Sequence, residues 1–95
     1  MKYTEYLIIG AGIVGCSTAY FLAKENKKVM IVDRTYPCNE ASGVNAGGLE
    51  LLQQPPRSLP LHKLSAELWN KFQNEEGIDV GYHRTGGLYC ILREE

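Results

Sequence analysis

The hydrophobic pattern divides the chain into short apolar runs separated by polar or glycine-rich segments. Tyr6, Leu7, Ile8 and Ile9 form a run that ends in a glycine, the pattern of a buried strand in a parallel sheet. From 13 to about 24, Val14, Cys16, Ala19, Tyr20, Leu22 and Ala23 suit a helix packed on that sheet, with Asn26, Lys27 and Lys28 to end it. Val29, Met30, Ile31 and Val32 predict a second buried strand. Together these make a βαβ unit within the first 33 residues, and such crossovers are almost always right-handed.

The pattern then changes. Pro37, Pro55 and Pro56, with Gly43, Gly47 and Gly48, predict that residues 34–56 are irregular apart from one helical turn. A connection of that length usually carries function. From Ser58 or Pro60 onward, Leu61, Leu64, Leu68, Trp69 and Phe72 fall at helical spacing, with Gly77 placed as the stop. Gly86 and Gly87 precede Leu88, Tyr89, Cys90, Ile91 and Leu92, which predicts a strand within 82–92.

Composition narrows the choices. A chain of 95 residues supports one compact core, and 44% hydrophobic with 22% charged residues is ordinary for a soluble globular segment. Ten basic and 11 acidic side chains give a net charge of -1, so no positive field draws nucleic acid or an anionic membrane. No apolar stretch approaches the roughly 18 residues of a membrane span. Cys16, Cys38 and Cys90 form neither a CxxC pair nor a metal-ligand cluster, which fits reduced thiols in a cytoplasmic protein and no metal site. Peripheral membrane association stays open. The residues before Cys16 loosely resemble a lipoprotein cleavage box, but the run is glycine-rich, follows Glu5 and lacks a well-charged leader.

The chemistry concentrates in Gly10-Ala11-Gly12-Ile13-Val14-Gly15, a GxGxxG match. Alone the match is weak; between a strand and a helix, with Asp33 ending the next strand, it is much stronger. Gly10 permits the tight turn, Gly12 lets a pyrophosphate approach the backbone, and Gly15 lets helix and sheet pack closely. The amides opening the helix, those of Ile13 and Val14 among them, face the phosphates with the positive end of the helix dipole. Asp33 can accept hydrogen bonds from adenosine ribose hydroxyls and repels a 2′-phosphate, although Arg34 beside it works the other way. This reading fixes an ADP group and leaves FAD and NAD equally open.

The run from 6 to 34, followed by Glu40-Ala41-Ser42-Gly43-Val44-Asn45-Ala46-Gly47-Gly48-Leu49, resembles the N-terminus of the D-amino-acid oxidase superfamily, which includes glycine oxidase, sarcosine oxidase and amino-acid dehydrogenases. The resemblance covers essentially the whole chain, while the family's proteins run to several hundred residues. It implies FAD, with Ala41, Ser42, Ala46, Gly47 and Gly48 running along the pyrophosphate toward the flavin ring. Ser42 offers a hydroxyl and an amide for phosphate, and Gly47 and Gly48 let main chain lie against a flat ring. The acid ending the second strand is commonly Glu in these flavoproteins and is Asp33 here; its shorter arm still reaches a ribose. Neither His nor Cys occurs in residues 41–49, so FAD is expected to be non-covalent.

The expected fold class is therefore α/β, a Rossmann-like βαβ unit with parallel strands. Residues 1–80 are expected to form the N-terminal part of the FAD-binding domain, and 81–95 the first strand of a truncated substrate domain. The resemblance implies oxidation of a small-molecule amine or amino acid by hydride transfer to flavin. Alternatives are an FAD-dependent 2-hydroxy-acid or glycerol-phosphate dehydrogenase, an NAD-dependent dehydrogenase, and a non-catalytic nucleotide-binding fragment or subunit. No residue here is assigned to catalysis, and the 95 residues alone are expected to bind FAD weakly without turnover. Homo- or hetero-oligomers remain open. His62 and His83 lack catalytic or ligating neighbours, Trp69 and Phe72 suit a core, and Cys16 suits packing.

Overall fold

The computed structural model describes residues 3–52 and 54–90. Its elements are β1 (Tyr6–Ile9), α1 (Ile13–Lys24), β2 (Val29–Val32), α2 (Ala41–Val44) and α3 (Leu59–Asn74). β1 and β2 pair in parallel, Tyr6 opposite Val29 and Ile9 opposite Val32, and the Gly10 amide extends the ladder to the Val32 carbonyl at 2.8 Å. With α1 between them and packed on both, the strands form the expected Rossmann-like βαβ unit.

The helix α1 stops where its sequence changes. Asn26 adopts a left-handed conformation, φ 58°, its amide bonds the Ala23 carbonyl, and the Lys27 amide bonds Leu22. This is the Schellman arrangement, with asparagine in the place usually taken by glycine. Entry into the sheet is also tied: Thr4 Oγ1 donates to the Lys28 carbonyl at 2.7 Å, while Glu5 Oε2 accepts from the Lys28 amide at 2.8 Å.

The chain divides into two compact units, Met1–Ala46 and Gly47–Glu95. In the first, the long connection holds the single helical turn expected of it, α2. In the second, α3 spans the predicted amphipathic run, with Leu68, Trp69 and Phe72 half-buried. Gly77 at φ 68° turns the chain out of it, and the Ile78 amide reaches back to the Phe72 carbonyl at 2.9 Å.

Two expectations are corrected. Residues 82–90 form no strand, whereas Ile91 and Leu92 lie outside the described residues. A strand exists only through a partner's ladder, and the described sheet consists of β1 and β2 alone. The strands are also far from buried, with Ile9 84% exposed, and the only buried hydrophobic side chain among the described residues is Ala11, at 5%. Two four-residue strands with one covering helix leave edges and a face open to water. Among the described residues no helix is long and apolar enough to cross a membrane.

Candidate cofactor site

The glycines of the β1–α1 turn are held to glycine by different causes. Gly10 has φ 104°, while a Cβ there would have nothing within 4 Å, so conformation rather than space demands glycine. Gly15 is the reverse: a Cβ would overlap the carbonyl oxygen of Gly10 and stand 3.3 Å from Ile8 Cγ2. Gly12, extended at φ -79° and ψ -176°, caps α1, and a Cβ on it would meet Ser42 Oγ at 3.0 Å. Gly12 thus keeps open the space beside the first helical amides.

Those amides have begun to find partners. Ile13 N–H donates to Ser42 Oγ at 2.9 Å, so α2 supplies the capping oxygen that Gly12 lacks. The first backbone bond of the helix is from Cys16 to Gly12, at 2.9 Å, and the Val14 and Gly15 amides precede it. Ser42 retains its own hydroxyl proton as a donor.

Asp33 closes the turn from the other side. Its Oδ2 accepts the Ala11 amide at 2.7 Å, and its Oδ1 accepts the Thr35 amide at 3.0 Å and the Thr35 hydroxyl at 3.3 Å. The Ala11 amide, then that of Thr35, hold the Asp33 carboxyl below its ordinary value of 3.8. Oδ1 thus already accepts two donors, while Oδ2 keeps lone-pair capacity for one more. Arg34, next in sequence, is paired with Glu40 at 2.6 Å on the exposed surface.

A cavity of about 160 Å³ lies between these groups, lined by Gly12, Asp33, Thr35, Cys38, Asn39, Glu40, Ala41 and Ser42. Of the residues singled out in the sequence, Gly12, Asp33, Ala41 and Ser42 line it, and Asp33 and Ser42 also bind the Ala11 and Ile13 amides of the turn. Ala46 ends the first unit, while Gly47, at φ 69°, and Gly48 begin the second. Thr35, Cys38, Asn39 and Glu40 were not anticipated. Thr35 carries a signal, since Asp commonly bonds the backbone two residues on. Cys38, left-handed at φ 61°, carries none. Gly43 also proves constrained, because a Cβ there would overlap the Cys38 carbonyl.

A parallel βαβ unit with a glycine turn and an acid ending the second strand has the form of a dinucleotide-binding fold. Residues 5–95 match the family described as FAD dependent oxidoreductase (DAO), and the chain belongs to that family. It is 35% identical over 85 residues to human mitochondrial dimethylglycine dehydrogenase, covering 88% of this chain and 10% of that protein. It is 36% identical over 64 residues to the D-amino acid dehydrogenase of Azorhizobium caulinodans, covering 66% and 15%. Among solved structures, an L-amino acid deaminase from Proteus vulgaris superposes with a TM-score of 0.76 at 29% identity, covering 82% of this chain and 20% of the other. The chain thus spans a fifth or less of each of these proteins.

Proposed function

We propose that this chain is the FAD-binding N-terminal portion of a cytoplasmic oxidoreductase acting on a small-molecule amine or amino acid, with FAD held non-covalently. The observation that carries the reading is the turn from Gly10 to Gly15 closed by Asp33, in a chain of the FAD dependent oxidoreductase family. The named substrates of the relatives, dimethylglycine and amino acids, support the amine class.

The residues fit an ADP group. Asp33 would take a ribose hydroxyl on the remaining lone pair of Oδ2, or a second by giving up the Thr35 hydroxyl, and its backbone bonds favour the ionised form. The amides of Ile13, Val14 and Gly15 would meet the pyrophosphate, with Ser42 releasing the Ile13 amide or donating its own proton to a phosphate oxygen. Gly12 admits the phosphates beside the backbone, and Glu40 draws Arg34 into an ion pair, reducing its call on a 2′-phosphate. Ala41 lines the same cavity, while Ala46, Gly47 and Gly48 would lead toward the ring, as the family resemblance implies. The bound flavin supplies the hydride acceptor for the substrate carbon that bears the amine. Residues 81–95 would begin the substrate domain.

Calorimetric titration of the chain with ADP tests the grip. Binding that Asp33→Asn removes is expected; no binding by the unaltered chain sinks the proposal. For the substrate class, flavin bleaching in the full-length protein by amines is expected. Bleaching by 2-hydroxy acids or glycerol phosphate instead would overturn it.

A further inference from the structure

We propose that Cys16 and Cys38 form a reversible intrachain disulfide, a redox-modification site built against the glycine turn. The two thiols converge on a single atom. Cys16 Sγ donates to the Ala11 carbonyl oxygen at 3.4 Å, from the first turns of α1, and Cys38 Sγ approaches the same oxygen at 3.7 Å from the connection after β2. The Cys38 amide bonds that oxygen as well, at 3.0 Å, so the backbone of Cys38 is anchored beside Cys16. Both are free thiols. The sulfurs are thus no farther apart than two contacts to one oxygen allow, and bonding requires the connection after β2 to move toward α1.

Their exposures differ in a way that assigns roles. Cys38 is exposed and meets an oxidant first; Cys16 is half-buried and resolves the product. With hydrogen peroxide as oxidant, the Cys38 thiolate attacks one oxygen, breaking the O–O bond to give a sulfenic acid and hydroxide. The Cys16 thiolate then attacks the Cys38 sulfur, forming the S–S bond and expelling a second hydroxide. The two thiol protons and the two hydroxides leave as two waters, with two electrons passed from the sulfurs to the peroxide. A dithiol reductant reverses the change by thiol–disulfide exchange.

The bond would act on the cavity, because Cys38 lines it together with Asp33 and Ser42. Joining Cys38 to α1 draws the wall holding Thr35, Asn39 and Glu40 toward the helix. The consequence for cofactor rests on the ADP reading above, whereas the disulfide does not.

The test begins with the full chain, reduced, then treated with hydrogen peroxide; remaining thiols are alkylated and the peptides mapped by mass spectrometry. The expected result is a Cys16–Cys38 linked pair that dithiothreitol removes, that persists in Cys90→Ser, and that disappears in Cys16→Ser, where a sulfenic-acid trap labels Cys38 instead. Alkylation of both Cys16 and Cys38 after oxidation, or linkage of Cys38 to Cys90 or to a second copy, overturns the proposal. Titration with ADP separates the two readings. Loss of ADP binding on oxidation, restored by dithiothreitol, supports the effect on the cavity, and equal binding by the oxidised and reduced chains overturns it. A reduced chain that ignores ADP defeats the cofactor reading, and the peptide map still decides the disulfide.

Discussion

Asp33 combines two tasks that a strand-end acid need not share: it accepts backbone amides from both sides and it faces a cavity. Its carboxyl titrates lower in the fold than in the unfolded chain, so its contribution to stability is present above the ordinary value of 3.8 and is lost as pH falls through the depressed folded value. Denaturation followed by circular dichroism from neutral pH down to acid should show stability falling in that window, with Asp33→Asn flattening the fall. The glycines invite a second comparison. Gly15→Ala drives a methyl into backbone and should cost about 1–3 kcal/mol by urea unfolding. Gly10→Ala has room but not the conformation, and should cost about 1–2 kcal/mol. Equal stability of Gly15→Ala and the unaltered chain would refute the packing role. Spacing revealed these positions because three glycines and an acid at fixed separations have few other uses. It did not reveal Cys38 and Asn39, whose place in the cavity depends on a loop path that no short pattern encodes.

Elements with a strong pattern of their own were legible, β1 and β2 included, whereas the strand expected within 82–92 was not found among the described residues. The limits of α1 follow from the Gly12 entry and the Asn26 exit, both readable within the segment. The strand expected within 82–92 has β-forming residues, yet its described part is irregular and is held by a side chain instead. Gln73 of α3 accepts the Tyr82 amide at 2.7 Å and donates to the Tyr82 carbonyl at 2.8 Å, satisfying both groups as a neighbouring strand would. Gln73→Leu leaves these part-buried groups unpaired, a cost of about 1–3 kcal/mol. Amide exchange at Tyr82 should accelerate in that variant while exchange in β1 and β2 is unchanged. Unaltered protection at Tyr82 would show that the clamp contributes nothing.

Over the whole molecule, the hydrophobic pattern located the apolar runs but overstated their burial. A run such as Tyr6 to Ile9 signals the capacity to be covered, and coverage depends on what else is present; here α1 packs on the strands and Ile9 and Val14 face water. An unmatched apolar surface of this kind should bind a fluorescent apolar dye, and Ile9→Ser with Val14→Ser should reduce that signal without changing the helical circular dichroism. Ala11, the buried exception, lies in the middle of the glycine turn. Among the described residues, the one buried hydrophobic side chain therefore lies in the turn of the proposed nucleotide seat. A ligand at that seat, present at one hundred times its dissociation constant, adds about 2.7 kcal/mol to the folded state by mass action. That is a large increment beside the marginal stability of folded proteins. Proteolytic cleavage of this segment would then slow as flavin nucleotide is supplied, making the cofactor a guard on the chain that grips it.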